Sequence, residues 1–205
     1  MGDITTLFFD LGGVLLTNGW DRRSRRHCVE SFGLDYEEFR DRHEFVADAF
    51  ETGRMSIDEY LDRTVFYRER EFTATAFREG MVAESRPFPD SLAVVEELAA
   101  SGRYLLATLN NESLELNQER IDRFGLNRYF TAFFSSGFLG VKKPDQAIYR
   151  LALQITQRRP QECVFIDDRD LNLECAVTEG MQTVHYDNPT QLRRELAGLG
   201  IDLGE

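Results

Sequence analysis

The chain has 205 residues, 42% of them hydrophobic, and a formal net charge of -12. That length and apolar content allow a sizeable core, while the charge argues against a nucleic-acid or anionic-membrane partner, whose surface would repel it. An anionic small molecule then needs a local device: a metal ion, a lysine or backbone N–H groups. Cys28, Cys163 and Cys175 have no CxxC or CxxxH spacing, and an odd set of thiols, two of them in apolar-patterned segments, reads as free and buried, in a reducing, cytoplasmic compartment. No apolar run approaches the ~18 residues of a membrane span and no secretory signal pattern is present. Met1-Gly2 with Thr6 matches a myristoylation pattern, but the segment is the lead-in to a core strand.

The apolar run Leu7-Phe8-Phe9 ends on Asp10, followed by Leu11-Gly12-Gly13-Val14. A strand apolar on both faces belongs inside a parallel sheet covered by helices, and its carboxyl end is the edge where such sheets bind ligands. From about residue 20 to 84 the pattern turns helical, with Cys28, Val29 and Phe32, then Phe39, Val46 and Phe50, then Ile57, Tyr60, Leu61 and Val65 at helical spacing. Gly33 and Gly53 read as helix ends, and Ser56 with Glu59 as a capping box. Three or four helices are expected there, and the cluster Arg22, Arg23, Arg25 and Arg26 reads as a solvated face.

An α/β rhythm follows. A helix over 90–101 stops at Gly102, and a strand over 104–107 ends on Thr108. A helix over 112–124, with Asn111 as N-cap, precedes a strand over 132–135. A loop then leads to Lys142-Lys143-Pro144, with Pro144 in the first turn of the next helix. A strand over 163–166 ends on Asp167-Asp168-Arg169, and a helix, a short strand and a closing helix complete the chain. Strands alternating with helices in this way predict an α/β fold, a doubly wound parallel sheet of Rossmann-like type. The expected organisation is a core of residues 1–17 and 87–205 with a small helical bundle, residues 18–86, inserted after the first strand.

Parallel strands present all their carboxyl ends on one edge, so Asp10, Thr108, Lys143 and the Asp167/Asp168 pair are expected to converge. Carboxylates without His or Cys favour a hard divalent cation such as Mg2+. An ammonium and a hydroxyl suit phosphoryl oxygens, and Asp10 is left as a covalent nucleophile on phosphorus. Lys142 and the scattered histidines read as solvated or structural, Arg169 as a local ion pair, and Trp20 as packing under the helices rather than lining a pocket.

In these residues the chain resembles the haloacid dehalogenase-like hydrolase superfamily over essentially its whole length. Asp10-Leu11-Gly12-Gly13-Val14 resembles the nucleophile motif and Thr108 the Ser/Thr of the second motif. Lys143-Pro144 with Tyr149 resembles the third, and Asp167-Asp168 with Asn172 the acidic fourth. The resemblance implies a magnesium site made by Asp10, the Gly12 carbonyl and Asp168, with Asp167 acting through water or from behind. It implies phosphate binding by Thr108, Leu109, Asn110 and Lys143, and a helical cap over the substrate. Phe50-Glu51-Thr52-Gly53 to Tyr60 is similar to caps of the sugar-phosphate phosphatase branch. One departure stands out: Gly12 occupies the place where most phosphatases of the superfamily carry a general acid-base aspartate. That resembles the glucose-1-phosphate phosphatase-like branch, and restoring Asp at 12 is expected to raise turnover. The expected function is Mg2+-dependent hydrolysis of a small phosphorylated metabolite, a sugar phosphate among the candidates. Metal-free 2-haloacid dehalogenation and a non-catalytic binding role remain open, as does the oligomeric state.

Overall fold

The computed structural model describes residues 3–203; Met1 and Gly2 of the myristoylation-like pattern lie outside them. After β1 (Thr6–Phe9) the chain forms α1 (Arg22–Ser31), α2 (Tyr36–Glu51), α3 (Ile57–Thr64) and α4 (Ala74–Ala83). It returns through α5 (Pro89–Ser101) to β2 (Leu105–Asn110), followed by α6 (Leu114–Arg123), β3 (Ala132–Ser135), α7 (Ser136–Leu139) and α8 (Gln146–Thr156). It closes with β4 (Cys163–Asp167), α9 (Asp170–Thr178), β5 (Gln182–His185) and α10 (Pro189–Gly198). The sheet order is β3-β2-β1-β4-β5, with every pair parallel, the doubly wound arrangement expected from the sequence.

β1 lies at the centre because it is apolar on both faces. Leu7 and Phe9 join the cluster beneath α5 and α10, Phe8 joins the opposite cluster beneath α8 and α9, and all three are fully buried. Each such side chain contributes about 1.5–3 kcal/mol by leaving water. This central strand sets Asp10 in the middle of the ligand edge, where the Asp10 N–H donates to the Ile166 carbonyl of β4 at 2.9 Å.

The inserted helices start on local signals. Asp21, Asp35 and Thr73 accept N-cap bonds from Ser24, Glu38 and Ala76, and Ser56 with Glu59 forms the capping box, each cap contributing about 1 kcal/mol. Their apolar faces meet in a cluster including Trp20, Phe39, Phe50, Tyr60 and Phe77, to which Leu116 of α6 also belongs. The chain passes out to these helices and back at one place: Leu16 bridges Pro87, Thr17 N–H donates to the Arg86 carbonyl at 2.8 Å, and Phe88 N–H to Leu15 at 2.8 Å. A second attachment forms where Gly53, at φ 67°, meets α7. A Cβ there would lie 3.0 Å from the Gly137 carbonyl carbon and closer still to its oxygen.

Three boundaries differ from the sequence expectation. β2 continues through Thr108 to Asn110, and α6 starts at Leu114 behind Ser113 rather than behind Asn111. Pro144 precedes α8 instead of lying in its first turn; the Lys143–Pro144 peptide is cis, and Asp145 is the N-cap. The expected loop after β3 holds the short helix α7. Cys28 and Cys163 are buried, Cys175 is half-buried, and all three are free. Among the described residues no helix is long and apolar enough to cross a membrane.

Candidate active site

The parallel sheet brings Asp10, Lys143, Asp167 and Asp168 together at the carboxyl edge. Lys143 Nζ lies 3.1 Å from Asp10 Oδ1 and 2.6 Å from Asp167 Oδ2, with its side chain 2% exposed. Asp167 is fully engaged: besides Lys143 it accepts from Asn172 Nδ2 on both oxygens at 3.0 Å and from the Arg169 N–H at 2.9 Å. Asp168 is the opposite case, since its Oδ1 is buried with no hydrogen-bond partner. Gly13 makes room for it: at φ 82° a Cβ there would stand 2.7 Å from Asp168 Cγ, so this turn accepts only glycine.

Thr108 is not at the strand end. It pairs in register with Phe9, one residue before Asp10, and is fully buried with Oγ1 unpartnered. Leu109, also fully buried, packs in the core beneath α8. The end of β2 is instead formed by Asn110 and Asn111. Asn110 Nδ2 donates to Asn117 Oδ1 at 2.8 Å, and its Oδ1 is buried without a partner. Asn111 clamps the lysine segment from both sides: its Oδ1 accepts from the Lys143 N–H and its Nδ2 donates to the Lys143 carbonyl, both at 2.8 Å. The double Asn at a strand end was the visible signal for this clamp; the reading of Asn111 as a helix cap missed it.

The edge carries an excess of negative charge. Asp10, Asp167 and Asp168 offer carboxylate oxygens that all lie within 4.8 Å of one another, against the single ammonium of Lys143. Burial raises Asp10 to about 7; Lys143 opposes this, and Asp167 and Asp168 add to the rise. Burial and then Asp167 also raise Asp168. If all three carboxylates ionise, as they do around a cation, one ammonium leaves two charges to be balanced, and with the orphaned Asp168 oxygen this donor set fits a hard divalent cation.

A family model of haloacid dehalogenase-like hydrolases matches residues 4–176. The chain belongs to that family. Among relatives, it is 27% identical over 173 residues to flavin mononucleotide hydrolase 1 of Arabidopsis thaliana, covering 84% of this chain and 69% of that protein. It is 26% identical over 194 residues to glyceraldehyde 3-phosphate phosphatase of Methanopyrus kandleri, covering 88% and 83%. Its fold matches a HAD family enzyme of Bacteroides thetaiotaomicron solved with magnesium and inorganic phosphate, at TM-score 0.73 and 21% identity over 90% of this chain and 94% of that one.

In this family member the carboxyl edge of the sheet opens into a cavity of about 520 Å3 between the sheet and the inserted helices. Asp10, Gly12, Asn111, Lys143 and Asn172 line one side; Trp20, Arg22, Arg25, His43, Phe50 and Glu51 line the other. Several expectations change here. Trp20 both packs in the helical cluster and lines the cavity. Lys142 is no free neighbour: its Nζ bridges Asp48 at 3.1 Å and Glu51 at 2.9 Å on α2, tying the helices to the core. Arg22, Arg25 and Arg169 line the cavity instead of only facing solvent or pairing locally. A buried pair at the back, Glu112 and Arg120, meets at 3.2 Å; Glu112 reads from the sequence only as a helix start and the pairing was missed, because nothing in their spacing marks them as partners. Gly12 faces Asn18, whose Oδ1 would lie 2.7 Å from a Cβ at position 12, so an added carboxylate there has to displace it.

Proposed function

We propose that this chain is a Mg2+-dependent phosphomonoesterase acting on a small phosphorylated metabolite through an aspartyl-phosphate on Asp10. The observation that carries the reading is the Lys143 ammonium held between Asp10 and Asp167 at 3.1 and 2.6 Å, beside Asp168 with an oxygen left unpaired. Asp10 and Asp168, with the Gly12 carbonyl, would hold the cation, and Asp167, already saturated by Lys143, Asn172 and Arg169, orients the lysine. When bound, Mg2+ supplies charge neutralisation for the phosphoryl oxygens.

The remaining work belongs to the chain's own side chains. Lys143 neutralises a non-bridging oxygen and keeps Asp10 aimed at the cleft, with Asn111 holding its backbone in place. Asp10 attacks phosphorus as the ester P–O bond breaks, and water then cleaves the acyl phosphate to release inorganic phosphate and regenerate the carboxylate. Gly12 supplies no acid, so the leaving-group proton comes from water in the cavity or from the phosphate itself. Positioning acid-base catalysis is worth roughly 100- to 10,000-fold, and turnover is correspondingly modest. The inserted helices act as a cap that excludes bulk water. The phosphatase names of the two relatives, and magnesium with phosphate in the Bacteroides enzyme, support the same chemistry. A metal-free dehalogenase reading is disfavoured by the carboxylate cluster, which gains nothing from proximity without a cation.

Phosphate release from an aryl phosphate and a sugar-phosphate panel, with Mg2+ or with chelator, tests this. Release that needs the metal and disappears in Asp10→Asn is expected. Chelator-insensitive halide release from a 2-haloacid, or magnesium binding without any turnover, would overturn it.

A further inference from the structure

We propose that the helical wall of the cavity binds a second anionic group of the substrate, a carboxylate or a second phosphate, through Arg25 and His43. The inference rests on the phosphatase reading and narrows its substrate class to phosphate esters with a negatively charged tail.

The first observation is an imbalance of pairing. The chain contains 36 acidic residues, yet Arg22, Arg25 and Arg169 line the cavity without an ion pair among the described residues. The cavity's acids pair elsewhere: Asp21 caps α1 through Oδ1, Glu51 holds Lys142 through Oε2, Glu112 holds Arg120 and Asp10 faces Lys143. Of the three arginines Arg25 is the least exposed and the best fixed. Its Nη1 donates to the Trp20 carbonyl, while its buried Nε has no partner. A guanidinium held by one arm with donors left over is suited to the planar or tetrahedral oxygens of an anion.

The second observation fixes the neighbouring histidine as a donor. Trp20 Nε1–H donates to Tyr60 Oη at 2.9 Å, and Tyr60 Oη lies 2.9 Å from His43 Nδ1. Tyr60 is fully buried and among the described residues its single proton has no other acceptor, so it goes to His43 Nδ1. The ring's own proton is then on Nε2, which has no hydrogen-bond partner among the described residues. Burial, followed by the positive charges of Arg25 and Lys142, pushes His43 down to about 3, so the ring stays neutral. The relay Trp20 to Tyr60 to His43 therefore ends in an N–H on the cavity wall, beside a guanidinium.

The test uses three matched esters on the full chain with Mg2+: propyl phosphate, 3-(phosphonooxy)propanoate and propane-1,3-diyl bisphosphate. One or both charged-tail esters should exceed propyl phosphate in kcat/KM by about 10- to 100-fold, the range expected of a charged hydrogen bond. Which ester gains tells carboxylate from phosphate. Arg25→Gln should collapse that ratio mainly through KM, and Arg25→Lys should restore part of it. A second readout needs no turnover: Trp20 is the chain's one tryptophan, and succinate should change its fluorescence saturably in the wild type and at least tenfold more weakly in Arg25→Gln. Equal kcat/KM for the three esters with no succinate response overturns the proposal. Absence of phosphate release from all three refutes the phosphatase reading instead, and the succinate titration then decides the anion site separately.

Discussion

Arg120→Met probes the charge balance behind the cavity. The Arg120 guanidinium lies 3.2 Å from Glu112 Oε2, with the two side chains 4% and 8% exposed, and its Nη2 donates to the Thr17 carbonyl at 2.6 Å, where the chain leaves the sheet for the inserted helices. At an effective dielectric near 20, unit charges at that separation attract by about 5 kcal/mol, a gain offset by the desolvation of both. Removing the cation alone leaves Glu112 buried with one remaining donor, the Ser113 N–H at 3.0 Å, and the expected loss is about 3–5 kcal/mol. Burial raises the Glu112 pKa and Arg120 is the strongest influence opposing it, so the variant raises it further. A carboxyl whose folded pKa lies above its unfolded value stabilises the fold fully below the unfolded pKa, about 4.3 for Glu. It loses that contribution as pH rises through the folded value. Urea unfolding at pH 5 and pH 8 should therefore show the larger loss at pH 8, and adding Glu112→Gln should recover most of the pH-dependent part. A loss under about 1 kcal/mol, the level of an exposed pair, an identical loss at both pH values, or no recovery in the double variant would refute the reasoning.

Three further outcomes follow from the same geometry. Mg2+ at about 100 times its Kd should stabilise the protein by about 2.7 kcal/mol, a rise of roughly 5–10 °C in Tm for a chain of this size; Asp168→Asn, removing the orphaned oxygen, should abolish most of that shift in a calorimetric scan. Gly12→Asp alone should raise kcat less than it does together with Asn18→Ala, because the new side chain first has to turn the Asn18 amide aside. Combined with Asn18→Ala it should raise kcat on an alkyl phosphate by about tenfold or more, within the acid-base range; a fully active single variant would show that Asn18 moves freely. Gly53→Ala meets the Gly137 carbonyl at positive φ, and should cost about 1–3 kcal/mol, read by denaturant unfolding, and raise KM as the attachment of α2 to α7 loosens.

Much of the sheet was legible because burial on two faces leaves a plain mark. Leu7-Phe8-Phe9 reads as a central strand wherever it is met, and the glycines and proline after it divide the rest into strands and helices. Asp10 and the Asp167/Asp168 pair followed from that division alone, since a parallel sheet puts strand ends together; Lys143 reaches the same edge from beyond α7 rather than from a strand end. Thr108 failed for a local reason: β-propensity does not mark where a strand stops, and Leu109 and Asn110 continue the pairing with β3. The strand therefore delivers Asn110 and Asn111 to the edge and keeps the hydroxyl two residues inside it.

Sequence by itself pointed to the family, a doubly wound parallel sheet and the acids and lysine near its edge, because those depend on local periodicity, on recognisable motifs and on a topology with few alternatives. Tertiary structure alone decided what faces them: Lys142 bound to α2, Arg120 to Glu112, and the line from Trp20 through Tyr60 to His43 beside Arg25. These contacts join residues 8 to 94 positions apart, and a hydrogen bond or ion pair across such distances depends on how helices pack, which no spacing within a helix records.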